Sequence, residues 1–231
     1  MLAKDFLKQL ALTRLKNTAA VDLNQTTGFK TNFIDQLIVY TNEALTNLYS
    51  EYYLLKKSVL LKLFPPYTEY YLRKEYALSD PTVVTNKYIQ DTVHAPFYPY
   101  IIKIVNIFDQ YGCDLLINDR LNCSSVHTIS FDCVQFSHLN IGDYFSVVYL
   151  ADHIPLSLGS INTDIISLPP IMYEMLKYLI ASKYYLDLGK NSAEAQNNLV
   201  QYTELGNKII RSNLTPDFQD SNYHLEQKGF V

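Results

Sequence analysis

Three cysteines, five histidines and one Asp-His pair are the residues of this 231-residue chain whose types could support chemistry. Cys113, Cys123 and Cys133 stand ten residues apart, with His127 and His138 near enough in sequence to serve as a fourth metal ligand. Zinc sites usually draw cysteines from closely spaced pairs, and this chain has no such pair, so the three read as small buried hydrophobes on strands. An odd number of cysteines also makes no disulfide framework. Asp152-His153 invites reading as a dyad, but adjacent side chains point apart in helices and strands, so the pair reads as a turn with a satisfied histidine. None of His94, His127, His138, His153 and His224 has a histidine four residues away. Asp109, Asp114, Asp119 and Asp143 fall near expected turns, where carboxylates cap backbone N–H groups. No nucleophile elbow, phosphate-binding loop, dinucleotide fingerprint or zinc-protease helix is present. The expectation is a protein that is not an enzyme, with no cofactor and no metal.

Composition narrows the class. Apolar residues make up 48% of the chain, enough to bury a core. Twenty tyrosines, no tryptophan and only seven glycines stand out. Tyrosine joins an apolar body to a polar tip and is enriched where proteins meet. A formal charge of −4 argues against a protein whose main task is gripping phosphates. No apolar run reaches the length of a membrane span, and the basic start of the chain lacks the apolar stretch of a signal peptide. These features suggest a soluble protein in a reducing compartment, with no membrane partner.

The elements that must position any site centre on residues 170–188. Prolines at 169 and 170 disfavour an earlier helix start, and Pro170 suits the first helical position. Gly189 is placed for a left-handed cap. Met172, Met175, Leu176, Leu179, Leu186 and Leu188 recur at helical spacing, while Ile171, Tyr178 and Ile180 widen the stripe toward a second side. Such a helix must meet apolar groups on more than one face. Asn191 and Glu194 suggest a cap for a second helix, with Leu199, Tyr202, Leu205 and Ile209 as its apolar face and Pro216 beyond its end. A short connection makes the two an antiparallel hairpin.

Earlier in the chain, residues 1–30 read as an N-terminal arm or short helix. Asn32 and Asp35 resemble a capping box for a long helix that carries Ile34, Leu37, Ile38, Thr41, Leu45, Leu48 and Tyr52 on one face. Residues 54–63 and 68–72 are expected to pair as a hairpin around Pro65-Pro66. Residues 73–99 read as connecting loop with a short helix near 86–91. Short strands then recur over 101–150 at about ten-residue intervals, which implies an antiparallel sheet or small barrel. The fold class is α+β: a helical bundle of 31–52 with 168–212, a β-rich insertion over 53–167, and extended termini including a tail at 213–231.

Three stretches carry a resemblance. Asn42-Glu43-Ala44-Leu45-Thr46-Asn47-Leu48-Tyr49 leads to Phe64-Pro65-Pro66-Tyr67-Thr68-Glu69-Tyr70; Ser146 through Leu156 forms a last strand and exit; Leu168-Pro169-Pro170 leads to Ala181-Ser182-Lys183, with Lys183 where the family has arginine. Over residues 30–212 this order resembles the head-to-tail adaptors of short-tailed bacteriophages, the tail tubular protein A group, and particularly the ring proteins of crAss-like phages. The resemblance implies a structural virion protein at the head–tail interface, assembled in the host cytoplasm. Copies would close into a ring, a dodecamer, between the portal protein and other tail or ring proteins, with double-stranded DNA passing non-specifically through it during genome ejection. On that reading Tyr40, Tyr49, Met172, Met175, Tyr178 and Tyr185 are the candidate intersubunit residues. Leu214, Phe218, Tyr223, Leu225 and Phe230 are candidates for a partner-docking tail. The alternative is a soluble carbohydrate- or receptor-binding module of a virion that uses exposed tyrosines.

Overall fold

The computed structural model describes residues 1–82, 84, 86–122, 124–136, 144–188 and 192–212. Among them the fold is mixed α+β, with four α-helices and two antiparallel sheets. The chain divides into two compact units, Met1–Tyr52 with Pro155 onward, and Tyr53–Ile154. Residues 155–167, read from sequence as part of the β-rich stretch, therefore belong with the helices.

The first unit holds α1 (Ala3–Thr13), α2 (Thr31–Tyr52), α3 (Pro170–Asp187) and α4 (Ser192–Arg211). The N-terminal segment is packed: Phe6, Leu7 and Leu10 are buried, and the loop after α1 buries Leu15, Ala20 and Phe29. Gly28 has φ +80°, and a Cβ there would lie 2.9 Å from that of Ala11, so this close approach of loop to helix requires glycine. α2 starts at Thr31, which puts Asn32 inside the first turn rather than at the cap. Its buried residues follow the expected face from Ile34 to Tyr52, and each leucine so buried stabilises the fold by about 2 kcal/mol. Asn42 ties this helix to the segment before α3, donating to the Leu156 carbonyl at 3.0 Å and accepting from its N–H at 2.8 Å. α3 begins at Pro170, as the proline pair predicts. Gly189 and Asn191 lie outside the described residues.

The second unit contains a four-stranded sheet of order β3-β1-β7-β4 and a three-stranded sheet of order β2-β6-β5. The strands are β1 (Lys56–Lys62), β2 (Glu69–Tyr71), β3 (Ile89–Gln90), β4 (Ile101–Phe108), β5 (His127–Ser130), β6 (Cys133–Gln135) and β7 (Tyr144–Ala151). Residues of both sheets form one core, including Leu61, Tyr70, Ile89, Ile107, Val134 and Tyr149. The expected hairpin around Pro65-Pro66 does not form. β1 pairs with β7 and β3, while β2 pairs with β6. The turn at 64–67 closes through the Tyr67 N–H on the Phe64 carbonyl at 3.0 Å. The Tyr70 hydroxyl accepts from Phe64 N–H at 2.8 Å and donates to the Tyr67 carbonyl at 3.1 Å. These two hydrogen bonds fix the turn so that the chain crosses from one sheet to the other. The short helix expected near 86–91 is instead the strand β3, and a single 3-10 turn occupies Lys74–Tyr76.

Candidate functional site

The six residues predicted to face a neighbouring subunit are held largely by their own chain. Met172 and Met175 are fully buried. Tyr49 is buried and donates its hydroxyl to the Ser167 carbonyl at 3.1 Å. The Arg14 guanidinium lies 3.8 Å above the centre of the Tyr178 ring, and the Tyr185 hydroxyl donates to the Arg14 carbonyl at 3.3 Å. Tyr40 donates to the Asp187 carboxylate, with Gln36 bonded to both. Burial and that carboxylate push the Tyr40 hydroxyl up to about 12. These side chains do not form one exposed patch. The tail candidates Leu214, Phe218, Tyr223, Leu225 and Phe230 lie outside the described residues.

The charges of α3 are paired within the unit as well. Lys177 is buried, with its ammonium 2.7 Å from the Glu174 carboxylate, and Arg14 approaches the same carboxylate at 3.5 Å. Burial acts to raise the Glu174 pKa, but the bonds from Lys177 and Arg14 prevail and hold it below the ordinary glutamate value. Lys183 lies 2.6 Å from Glu43 on α2.

α4 is the opposite case. Of its expected apolar face, Ile209 is buried, Tyr202 and Leu205 are half-buried and Leu199 is exposed, while Ala195 and Gly206 are buried beside Ile209. Gly206 sits against Tyr52, and a Cβ there would collide with the Tyr52 hydroxyl. The hydroxyl of Tyr202 bonds Glu51 at 2.5 Å beside this contact. Along one flank of its exposed side, Gln196, Leu199, Val200, Thr203, Asn207 and Ile210 are exposed and fall within about a third of a turn of one another, while exposed Glu204, Lys208 and Arg211 occupy the rest of that side. Leu199, Val200 and Ile210 are 45%, 49% and 58% exposed, and none of the six residues carries a charge. A solvent-facing helix normally places charge there. The helical period of Leu199 with Tyr202 and Ile209 hides this stripe in the sequence, and the lack of charge at 196, 199, 200, 203, 207 and 210 is the signal that marks it.

The β unit presents a different kind of surface. An open cleft of 740 Å³ is bordered by Tyr67, Glu69, Tyr71, Tyr76 and Tyr88, with Pro66, Thr68, Val84 and Asn86 at its margins. Its wall is the end of a file of aromatic rings. Tyr76 stacks on Tyr88 at 4.7 Å, Tyr88 meets Tyr70 edge-on at 5.0 Å, Tyr70 meets Phe136 at 5.7 Å, and Phe136 meets Phe145 at 4.7 Å. The Tyr88 hydroxyl accepts from the Tyr71 N–H at 2.8 Å and donates to the Tyr71 carbonyl at 2.9 Å. Burial pushes the Tyr88 hydroxyl well above the usual tyrosine range, so it remains a protonated donor.

The residues weighed for catalysis and metal binding are dispersed. Cys113 is exposed and Cys133 is buried on β6, while Cys123 and His138 lie outside the described residues. No group of three potential metal ligands occurs among the described residues. The His153 ring is satisfied, as expected, but by the carboxylate of its neighbour Asp152. One carboxylate oxygen accepts the His153 backbone N–H at 2.7 Å and lies 2.8 Å from its Nδ1, because the chain has left strand geometry after Ala151. His153 is itself buried, which fits a packing role at the strand exit.

Comparison with known proteins gives no family. No protein-family model matches the chain, and no curated protein matches it. Among the described residues, no helix is long and apolar enough to cross a membrane.

Proposed function

We propose that the chain is a structural ring component of a bacteriophage head–tail connector, with α4 rather than α3 as the principal surface between copies. The observation that carries this reading is the exposed, charge-free stripe of α4. Depletion of charge around apolar residues marks the centre of a protein interface. A ring needs a heterologous surface whose rotation closes, so in this reading the α4 stripe of one copy meets a different surface of the next. The order of elements adds support: long helix, antiparallel β region, then a two-helix hairpin introduced by Leu168-Pro169-Pro170, as in the adaptor resemblance. In this reading the helical unit is the bundle that builds the ring, and the β region and tail 213–231 face portal and tail components. The formal charge of −4 suits a channel through which DNA slides without sticking. The test is negative-stain imaging of the purified chain mixed with the portal protein of the same phage. Closed rings seated on the portal are expected, and free particles of both proteins at every mixing ratio would overturn the reading.

A further inference from the structure

The tyrosine cleft of the β unit has features that point to a ligand independently of any ring. β2 is an edge strand, paired only with β6. Phe136 N–H bonds the Thr68 carbonyl and Leu72 N–H bonds the Asp132 carbonyl, so residues 68 and 72 direct their peptide groups toward β6. By strand alternation the peptide groups of Glu69 and Tyr71 point the other way, along the side of the cleft. Those of Tyr71 are occupied by the Tyr88 hydroxyl. Those of Glu69 face the open edge. The cleft border thus combines one available pair of backbone groups, four phenol rings and the exposed Glu69 carboxylate, with no lysine or arginine among the lining residues.

Each feature selects part of an occupant. An available N–H and C=O at a sheet edge recognise another extended backbone. Tyrosine faces beside a carboxylate attract a cation, and arginine adds planar stacking to its charge. This chain already makes that contact nearby, where the Arg73 guanidinium lies 4.6 Å from the Tyr71 ring centre. Phosphates and nucleic acid are disfavoured because the lining offers a negative charge and no positive one. We propose that the cleft binds an extended segment of another polypeptide, pairing one residue with Glu69 at the β2 edge and setting an arginine or lysine side chain against the Glu69 carboxylate and the tyrosine rings. The packed file of rings from Tyr76 to Phe145 supports the wall, so little ordering is required on binding.

The test uses the full chain and a fluorescein-labelled pentapeptide, acetyl-Thr-Val-Arg-Val-Thr-amide, followed by fluorescence anisotropy. Two control peptides replace the arginine by norleucine or N-methylate the backbone at that position. Saturable binding of the arginine peptide below about 1 mM is expected. Loss of the cation, methylation of the backbone and the Glu69→Gln variant should each weaken it about tenfold. Glu69 is exposed, and circular dichroism of the variant should match that of the native chain. Absence of saturable binding, equal affinity for the norleucine peptide, or an unchanged affinity in Glu69→Gln would overturn the proposal. So would saturable binding of maltohexaose or chitohexaose in place of the peptide, since that result assigns the tyrosines to sugar rings.

Discussion

α3 and α4 are consecutive helices of similar length, yet they use their apolar residues in opposite ways. α3 buries nine residues, among them Lys177 and Ser182, and engages its charges on its own chain through the ion pairs Glu174–Lys177 and Lys183–Glu43 and the hydrogen bond from Tyr40 to Asp187. α4 is seated by Ala195, Gly206 and Ile209 and leaves Leu199, Val200 and Ile210 in solvent. Hydrophobicity alone does not separate these roles, because both helices have an apolar side. What separates them is the close glycine contact at the seat of α4 and the uncharged apolar stripe along one flank of its exposed side. Gly206 lets α4 lie close against Tyr52, and that stripe remains open to another surface.

The comparison breaks most readily in the interior of α3. Leu176→Ala should lower the stability of the helical unit by about 3 kcal/mol, measured by urea denaturation, because Leu176 is fully buried. A loss below about 1 kcal/mol would mean that α3 is not the internal helix described above. Gly206→Ala should come next. Helix propensity favours alanine by about 1 kcal/mol, but the Tyr52 hydroxyl occupies the space of the new methyl, and overpacking of this kind costs about 1–3 kcal/mol. A net loss is therefore expected, and Gly206→Ala combined with Tyr52→Phe should recover most of it.

A smaller effect concerns the carboxylate over Lys177. The Glu174 pKa is depressed in the folded state, so its contribution is present above the unfolded glutamate value and is lost as pH falls through the folded one. Stability of the native chain should therefore fall on acidification below the ordinary glutamate range, and Glu174→Gln should flatten that dependence. An unchanged acid profile in the variant would separate Glu174 from the stability of α3. The smallest effect on folding is expected at Leu199→Ser, within about 0.5 kcal/mol, because the side chain is exposed.

What could be read from sequence follows the same division. The start of α3 was legible because two prolines dictate it, and the inward face of α2 was legible because Ile34 to Tyr52 keep a helical period. The β1–β2 hairpin misled because nearness in sequence and an intervening turn are equally compatible with crossing between sheets. The deciding contact, the Tyr70 hydroxyl on both ends of the turn, depends on where β6 lies. The candidate site was only partly visible. Met172 and Met175 are indistinguishable from interface residues by type, and Tyr178 and Tyr185 are engaged by Arg14, a residue more than 160 positions away. The tyrosine cleft was hinted at by composition, but its assembly from β2, the 3-10 turn and Tyr88 required the fold.

The central claim is that the outer face of α4 joins copies of the chain while α3 serves the interior. Sedimentation velocity of the native chain and of a Leu199→Asp/Val200→Asp variant, over a rising concentration series, tests it most directly. The native chain is predicted to associate into a closed species of fixed size. The variant is predicted to keep the native circular dichroism and remain monomeric throughout. Association of the variant at the same concentration and to the same size as the native chain would contradict the account, as would a native chain that stays monomeric across the series.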